Sequence, residues 1–312
     1  MKRLSAVLWG IILSATLICF LSTGEIHAEK GKPQYAHPEA LASTDWLQTH
    51  LMDDDIRIVD CTVSFINPDS YNKGHIPGAV SLDVIRLLSD PNGRVPLLIL
   101  PESQFEKLMG ELGIGNDTTV VVYDAFGGSW AARLWWALMY YGHDNVKILN
   151  GGLGKWKAEG REIETEASVP TPTVFKAKTQ ASLIAEIEDV KQAIEQENIY
   201  LVSALNADHH FGKKPFSPNL APPGHIPSAI NIPGPSNIKT ENGLLLAPVE
   251  LKEHWSKLKA NLQDKVITYC GAGYHGAFDL FALYQLGYNQ VSLYDGAWIE
   301  WISDKTRPIA TE

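Results

Sequence analysis

Three segments of this 312-residue chain occur twice, in the same order and at nearly constant spacing. GHIPGAVSLD (74–83) returns as GHIPSAINIP (224–233), which puts His75 and His225 150 residues apart. VVVYDAFGG (120–128) returns as VITYCGAGY (266–274) at an offset of 146, and ILNGGLGKW (148–156) returns as LYDGAWIEW (293–301) at an offset of 145. The length already implies about two domains, and the repeat makes them copies of one unit.

Each copy alternates short β-branched runs with helical patterns. Strands are expected at 56–59, 120–123 and 146–149, with partners at 199–202, 266–269 and 291–294; helices are expected at 102–112, 130–141, 187–196 and 277–286. Such alternation predicts an α/β fold in which each copy is a parallel sheet flanked by helices on both faces. The expected organisation is a leader at 1–28, a first domain at 29–160, a linker at 161–180 around Pro170 and Pro172, and a second domain at 181–312. Trp135, Trp136, Trp298 and Trp301 are expected in the core and at the domain interface.

The first residues read as a secretory signal: Lys2 and Arg3 precede an apolar run from Leu4 to Leu21, and Ala28 offers a small residue for cleavage. An uncleaved membrane anchor is the alternative, since the run is about long enough to span a bilayer. The expected location is periplasmic or secreted. A net charge of −10 argues against nucleic acid and anionic membrane as partners. Cys19, Cys61 and Cys270 are the three cysteines; they make no disulfide scaffold and no Cys-x-x-Cys zinc pair, and no metal is expected, His209-His210 lacking a third ligand.

Cys270 ends the 266–269 strand and opens a glycine-rich turn, Gly271-Ala272-Gly273-Tyr274-His275-Gly276, ahead of a helix. In a parallel sheet the loops at the carboxyl ends of strands build the binding site. A helix N-terminus and a nest of backbone N–H groups favour a thiolate, and the same donors would hold a persulfide. The residues alone leave a buried structural cysteine as an equal alternative. Phosphatase chemistry is excluded, because no Arg or Lys lies between Cys270 and Leu280. The counterpart of Cys270 is Asp124, which cannot act as a sulfur nucleophile, and its AFGGSW loop is not expected to cradle an anion.

STDWLQTHL (43–51), GHIPGA, LWWALMYYGHDNVKILNGG (134–152), GHIPSA, YCGAG (269–273) and YDGAWIEW (294–301) together resemble the two-domain rhodanese-type sulfurtransferases, the mercaptopyruvate and thiosulfate enzymes in particular. The resemblance implies tandem rhodanese-like domains, an inactive first copy, and Cys270 as the persulfide carrier with no other cofactor. It implies a small sulfur donor (thiosulfate, mercaptopyruvate or polysulfide) and a thiol or cyanide-like acceptor; selenium is an alternative cargo. A monomer is expected.

Several positions depart from the family pattern. Mercaptopyruvate enzymes typically have serine and threonine where Ala272 and His275 stand, so the relay to which Asp60 and His75 would belong lacks its hydroxyl, and a structural role is favoured for both. Ser203, Leu205 and Asn219 replace an aspartate and two arginines of that family, which removes a bidentate carboxylate clamp, and the basic loop residues of thiosulfate enzymes are missing as well. Arg133 is a candidate domain-facing residue, with an ordinary ion pair as the plainer reading. Cys61 is expected as a small buried hydrophobe, with a thiol that resolves the Cys270 persulfide as the alternative. His275 is expected at the mouth of the loop as a neutral imidazole, with Asp279 four residues on opposing that neutrality. The leading reading is an exported sulfurtransferase; the alternatives are a chalcogen carrier with little turnover and a non-catalytic interaction module.

Overall fold

Continuous runs of Val, Ile and Tyr, buried on both faces, form the centre of two parallel five-stranded sheets in the computed structural model, which describes residues 34–312 except 65, 126 and 216–221. The 1–28 leader, Cys19 and Asn219 lie outside the described residues. In the first sheet, β1 (Leu41–Ala42), β2 (Ile56–Asp60), β3 (Val80–Ser81), β4 (Thr119–Tyr123) and β5 (Val146–Leu149) are ordered β1-β5-β4-β2-β3. In the second, β6 (Ile184–Ala185), β7 (Ile199–Ser203), β8 (Ile230–Asn231), β9 (Lys265–Tyr269) and β10 (Val291–Tyr294) are ordered β6-β10-β9-β7-β8, the same topology. The α/β class and the six longer strands stand as expected. The four two-residue edge strands have too little pattern to be read from sequence.

The register repeats as well. Ile56 pairs with Thr119 and Asp60 with Tyr123; Ile199 pairs with Lys265 and Ser203 with Tyr269. Residues that close a strand in one copy therefore close its partner in the other.

Helices expected at 102–112, 130–141 and 187–196 are found at Glu102–Glu111, Ser129–Tyr140 and Ile187–Glu195. The helix expected at 277–286 instead spans Tyr274–Gln285. Gly276 reads as loop in the sequence but sits inside this helix because of close packing: a Cβ there would stand 3.0 Å from Tyr269 Cα and 2.8 Å from Leu293 Cδ1. Tyr274, His275 and Gly276 thus belong to the helix, and the turn proper is only Cys270 to Gly273.

The Ser129–Tyr140 and Tyr274–Gln285 helices pack on each other between the two sheets. Trp135 meets Phe281 edge-on at 4.9 Å and Tyr284 at 5.3 Å, so one apolar core runs through both copies. Separate clusters cover the outer faces, around Trp156 in the first copy and Trp298 and Trp301 in the second. The 161–180 stretch carries no helix or strand of its own, yet Phe175 is buried against Phe105, and Lys178 N–H donates to Tyr141 O. None of the helices among the described residues is long and apolar enough to cross a membrane.

Candidate active site

Cys270 follows β9 directly, and its side chain is 3% exposed. Its carbonyl accepts from Trp298 N–H at 2.9 Å and that of Gly271 from Ile299 N–H at 3.2 Å, which ties the turn to the segment after β10. Gly273 takes φ +85°, the left-handed conformation that turns the chain into the helix. The backbone N–H groups of Gly276, Ala272, His275 and Gly273 converge on the Cys270 sulfur. Gly271 completes the turn, and the side chain of Ala272 is buried.

The net electrostatic effect differs from the expectation of a favoured thiolate. Burial pushes the Cys270 thiol above its ordinary value, and the four amides only partly offset that. The resting group is a thiol surrounded by donors suited to an anion.

The first copy builds the same cradle around a different anion. Asp124 follows β4 as Cys270 follows β9. Its carboxylate accepts from Gly128 N–H at 2.9 Å, Trp130 N–H at 2.8 Å and Ala131 N–H at 3.0 Å. At the 145-residue offset of the two helices, these are the counterparts of Gly273, His275 and Gly276. The expectation that the AFGGSW loop does not cradle an anion is therefore corrected: it holds its own.

Arg133 is the residue that joins the copies at the site. It projects from the Ser129–Tyr140 helix, is 1% exposed, and donates from Nη1 to Asp295 Oδ1 at 2.5 Å and from Nη2 to Leu97 O at 3.1 Å. The guanidinium lies over the rings of Trp136 and Tyr274, at 4.8 and 5.3 Å from their centroids. Nη1 would stand 2.9 Å from a Cβ at Gly273, so the cation rests on the Cys270 turn itself. Arg133 is thus ion-paired, and the pair spans the two domains.

Asp295 was not anticipated, although it follows β10 at a strand end where site residues belong. Its Oδ2 accepts from Ile99 N–H at 2.8 Å, across the interface. The counterpart contact runs from Leu245 N–H to Asn150 Oδ1, also at 2.8 Å. Cavities flank both contacts: about 470 Å³ beside Arg94, Ile99, Glu186 and Asp295, and about 540 Å³ beside Gly127, Gly151, Ile238 and Gly243. Cys270 lines neither.

His275 lies in the first helical turn, half-buried, with its Cβ side against Gly234 and its ring 6.2 Å from that of Trp130. Burial lowers its basicity, and Asp124 opposes that from the first domain. Its Nδ1 has no hydrogen-bond partner. The expected opposition from Asp279 is not found. Asp279 is fully buried, accepts from Asn237 Nδ2 at 2.7 Å, and is pushed well above the carboxylate range by burial. Tyr274, the other loop residue, lies 3.4 Å from Ser89 through its hydroxyl, across the interface.

Asp60 and His75 have local partners instead. Asp60 accepts from Thr62 N–H at 2.9 Å, and Tyr123, its partner across the sheet, accepts through Oη from Ile76 N–H at 3.2 Å. His75 stacks on Tyr71 at 3.8 Å, with Nδ1 2.8 Å from Tyr71 O. The second copy repeats both arrangements: Tyr269 Oη accepts from Ile226 N–H at 3.0 Å, and His225 stacks on His210 at 3.6 Å with Nδ1 2.8 Å from its carbonyl. A geometry present in both copies, with or without the loop cysteine, belongs to the fold. Leu205 is buried in the apolar cluster of the second domain, and Lys214 pairs with Asp208 at 2.7 Å. Cys61 is fully buried and free, with burial raising its thiol well above the ordinary value. Among the described residues no group of three or more His, Cys, Asp or Glu is placed to hold a metal.

Two copies of one parallel sheet, with a cysteine in the strand-end cradle of one and an aspartate in that of the other, define a tandem α/β protein. The rhodanese-like domain model matches residues 43–159 and 186–304, and the chain belongs to the rhodanese family of sulfurtransferases. It is 35% identical over 286 residues to the sulfur carrier protein TtuD of Thermus thermophilus, covering 88% of this chain and 98% of that one. It is 33% identical over 275 residues to the thiosulfate sulfurtransferase of Rattus norvegicus, covering 84% and 91%. The crystal structure of the 3-mercaptopyruvate sulfotransferase SseA from Escherichia coli superposes with a TM-score of 0.74 at 31% identity, over 83% of this chain and 98% of that one.

Proposed function

We propose that Cys270 carries sulfane sulfur as a persulfide between a small inorganic or thiol-derived donor and a thiol or cyanide acceptor. The observation that carries this reading is the convergence of four backbone N–H groups on one buried sulfur. With thiosulfate as donor, the Cys270 thiolate attacks the sulfane sulfur, the S–S bond of thiosulfate breaks, and sulfite leaves with the electron pair. An acceptor thiolate then attacks the terminal sulfur and releases Cys270 as thiolate. His275, whose backbone N–H faces the sulfur and whose ring Nδ1 makes no hydrogen bond, is the residue we assign to receive the proton that the resting thiol gives up. No other cofactor enters this cycle.

Leu205, buried in the core, stands where mercaptopyruvate enzymes carry an arginine of their carboxylate clamp, and the Cys270 loop equally lacks the basic residues of thiosulfate enzymes, so thiosulfate, mercaptopyruvate and polysulfide all stand as donors to be tried. The same absence keeps a second reading, a carrier with slow turnover, alongside the first. The basic, apolar and small-residue order of 1–28 supports export, with the work done outside the cytoplasm.

Intact mass after incubation with each donor tests the reading. A gain of one sulfur on Cys270, discharged by cyanide through repeated cycles, is the expected result. A stable adduct that cyanide does not discharge identifies a carrier. Loading that persists in Cys270→Ser overturns the assignment.

A further inference from the structure

We propose that the Arg133–Asp295 pair sets the charge state of the Cys270 sulfur, so that the first domain, which has no loop cysteine, supplies the cation of the second domain's site. The inference rests on the reading of Cys270 as the sulfur carrier.

The geometry begins with the guanidinium on the turn: a side chain at Gly273 would meet Arg133 Nη1 at 2.9 Å and Asp295 Oδ1 at 3.0 Å. Arg133 is held from three directions, by Asp295, by Leu97 O and between the Trp136 and Tyr274 rings, so it has no freedom to swing toward solvent. The Leu97 carbonyl is delivered by a residue at φ +71°, where the corresponding position of the second copy is Gly243 at φ +67°. A leucine held in the left-handed region is a strained choice, and here its carbonyl completes the seat of a buried cation.

The repeat supplies the comparison. The counterpart of Arg133 is Phe278, which packs against Gly128 of the Asp124 loop as Arg133 packs against Gly273 of the Cys270 loop. The counterpart of Asp295 is Asn150. Where the loop holds a carboxylate the pair is Phe and Asn; where it holds a thiol the pair is Arg and Asp. A buried ion pair costs desolvation that a neutral pair of similar shape avoids. The charged version stands only at the loop with the thiol.

The other groups facing the sulfur do not carry charge there. Tyr269 and Tyr274 are both held protonated by burial, and burial keeps His275 toward its neutral form. Arg133 couples to the sulfur through its charge, Asp295 is the anion paired with it on the same turn and acts in the opposite sense, and Asp124 reaches only the neighbouring His275 from the first domain.

Opposite senses give a test that simple loop distortion cannot imitate. The pH dependence of Cys270 alkylation by iodoacetamide, read on the Cys270 peptide by mass spectrometry, reports its apparent pKa in the full chain without any sulfur donor. Arg133→Met removes the cation and unmasks Asp295, and is expected to raise that pKa by about one unit or more. Asp295→Asn removes the anion and is expected to lower it by a comparable amount. Arg133→Met with Asp295→Asn, which imitates the neutral pair of the first copy, is expected to lie between the single variants, and Arg133→Lys close to the parent. Shifts of the two single variants in the same direction, or no shift in either, overturn the proposal. If Arg133→Met does not fold, the downward shift in Asp295→Asn decides alone. A parent protein that alkylates normally but takes no sulfur from any donor would instead refute the persulfide reading and leave the electrostatic result standing.

Discussion

Asp124 and Cys270 close the same strand in the two copies, and each directs its side chain to the equivalent amides: Gly128, Trp130 and Ala131 for the carboxylate, Gly273, His275 and Gly276 for the sulfur. The first domain is thus an occupied version of the second. A carboxylate that accepts three backbone hydrogen bonds satisfies the donors of the cradle, which explains how a cradle without its cysteine remains folded.

Asp124→Asn should therefore destabilise the chain by roughly 1–3 kcal/mol, since a neutral amide accepts fewer and weaker bonds from the same donors. Urea unfolding monitored by tryptophan fluorescence measures this. Asp124→Cys in a Cys270→Ser background should yield a thiol that alkylates but does not sustain sulfur transfer, because Phe278 stands where the active loop has Arg133. Sustained cyanide-discharged cycles at the new cysteine would contradict that expectation.

The rate with 3-mercaptopyruvate follows from what the second domain lacks. An arginine clamp on a carboxylate contributes about 1.5–3 kcal/mol through its charged hydrogen bonds. Its loss corresponds to roughly 10- to 100-fold in rate at equal concentration. Single-turnover loading of Cys270 by 3-mercaptopyruvate should thus be slower, by about that factor, than in a family member that carries the clamp. Equal rates would show that another group binds the carboxylate.

Much of this was legible from the repeat. The order of the three matching segments gave the tandem domains, and the offset between 120–128 and 266–274 paired Asp124 with Cys270. The cradle around Asp124 was not legible, because main-chain donors leave no mark in side-chain identity. Nor was the early start of the Tyr274–Gln285 helix, since Gly276 reads as a breaker until Tyr269 and Leu293 are seen pressing on it. Asp295 was missed because its partners, Arg133 and the Ile99 amide, come from the other copy at separations of 162 and 196 residues.

The stacked pair His210–His225 should impose an acid limit on stability. Burial, with His225 alongside, pushes His210 down to about 3, whereas an unfolded imidazole titrates near 6.5. Between those values the unfolded chain binds the extra proton, so stability is full above pH ~6.5 and falls as pH drops toward 3. His210→Phe keeps the ring on His225 and removes the proton site. Unfolding free energy measured at intervals from pH 7 to pH 4 should fall less steeply in that variant. Residual slope is expected from His143, His225 and His254, which burial lowers in the same direction. Identical slopes in parent and variant would remove His210 from the account.

His275 faces a sharper version of the same titration, at the site itself. Its folded value lies below the ordinary 6.5 because the ring is buried, so the imidazole is neutral at pH 7 and able to accept a proton through Nδ1. Cys270 needs such an acceptor, since burial holds its thiol protonated. The rate of sulfur loading should accordingly fall on the acid side, at a pH below the ordinary imidazole value, as His275 takes up its own proton. His275→Thr supplies a hydroxyl without that titration, and His275→Ala supplies nothing. In both variants the break due to His275 should vanish, leaving a rate that rises with pH as the Cys270 thiol ionises, and the rate at pH 7 should drop on the order of 100-fold, the usual contribution of a placed general base. Loading rates from pH 5 to pH 9, followed by intact mass, decide the matter. If both variants keep the parent rate and profile, the proton leaves Cys270 by another path and His275 only fills the space between Gly234 and Trp130.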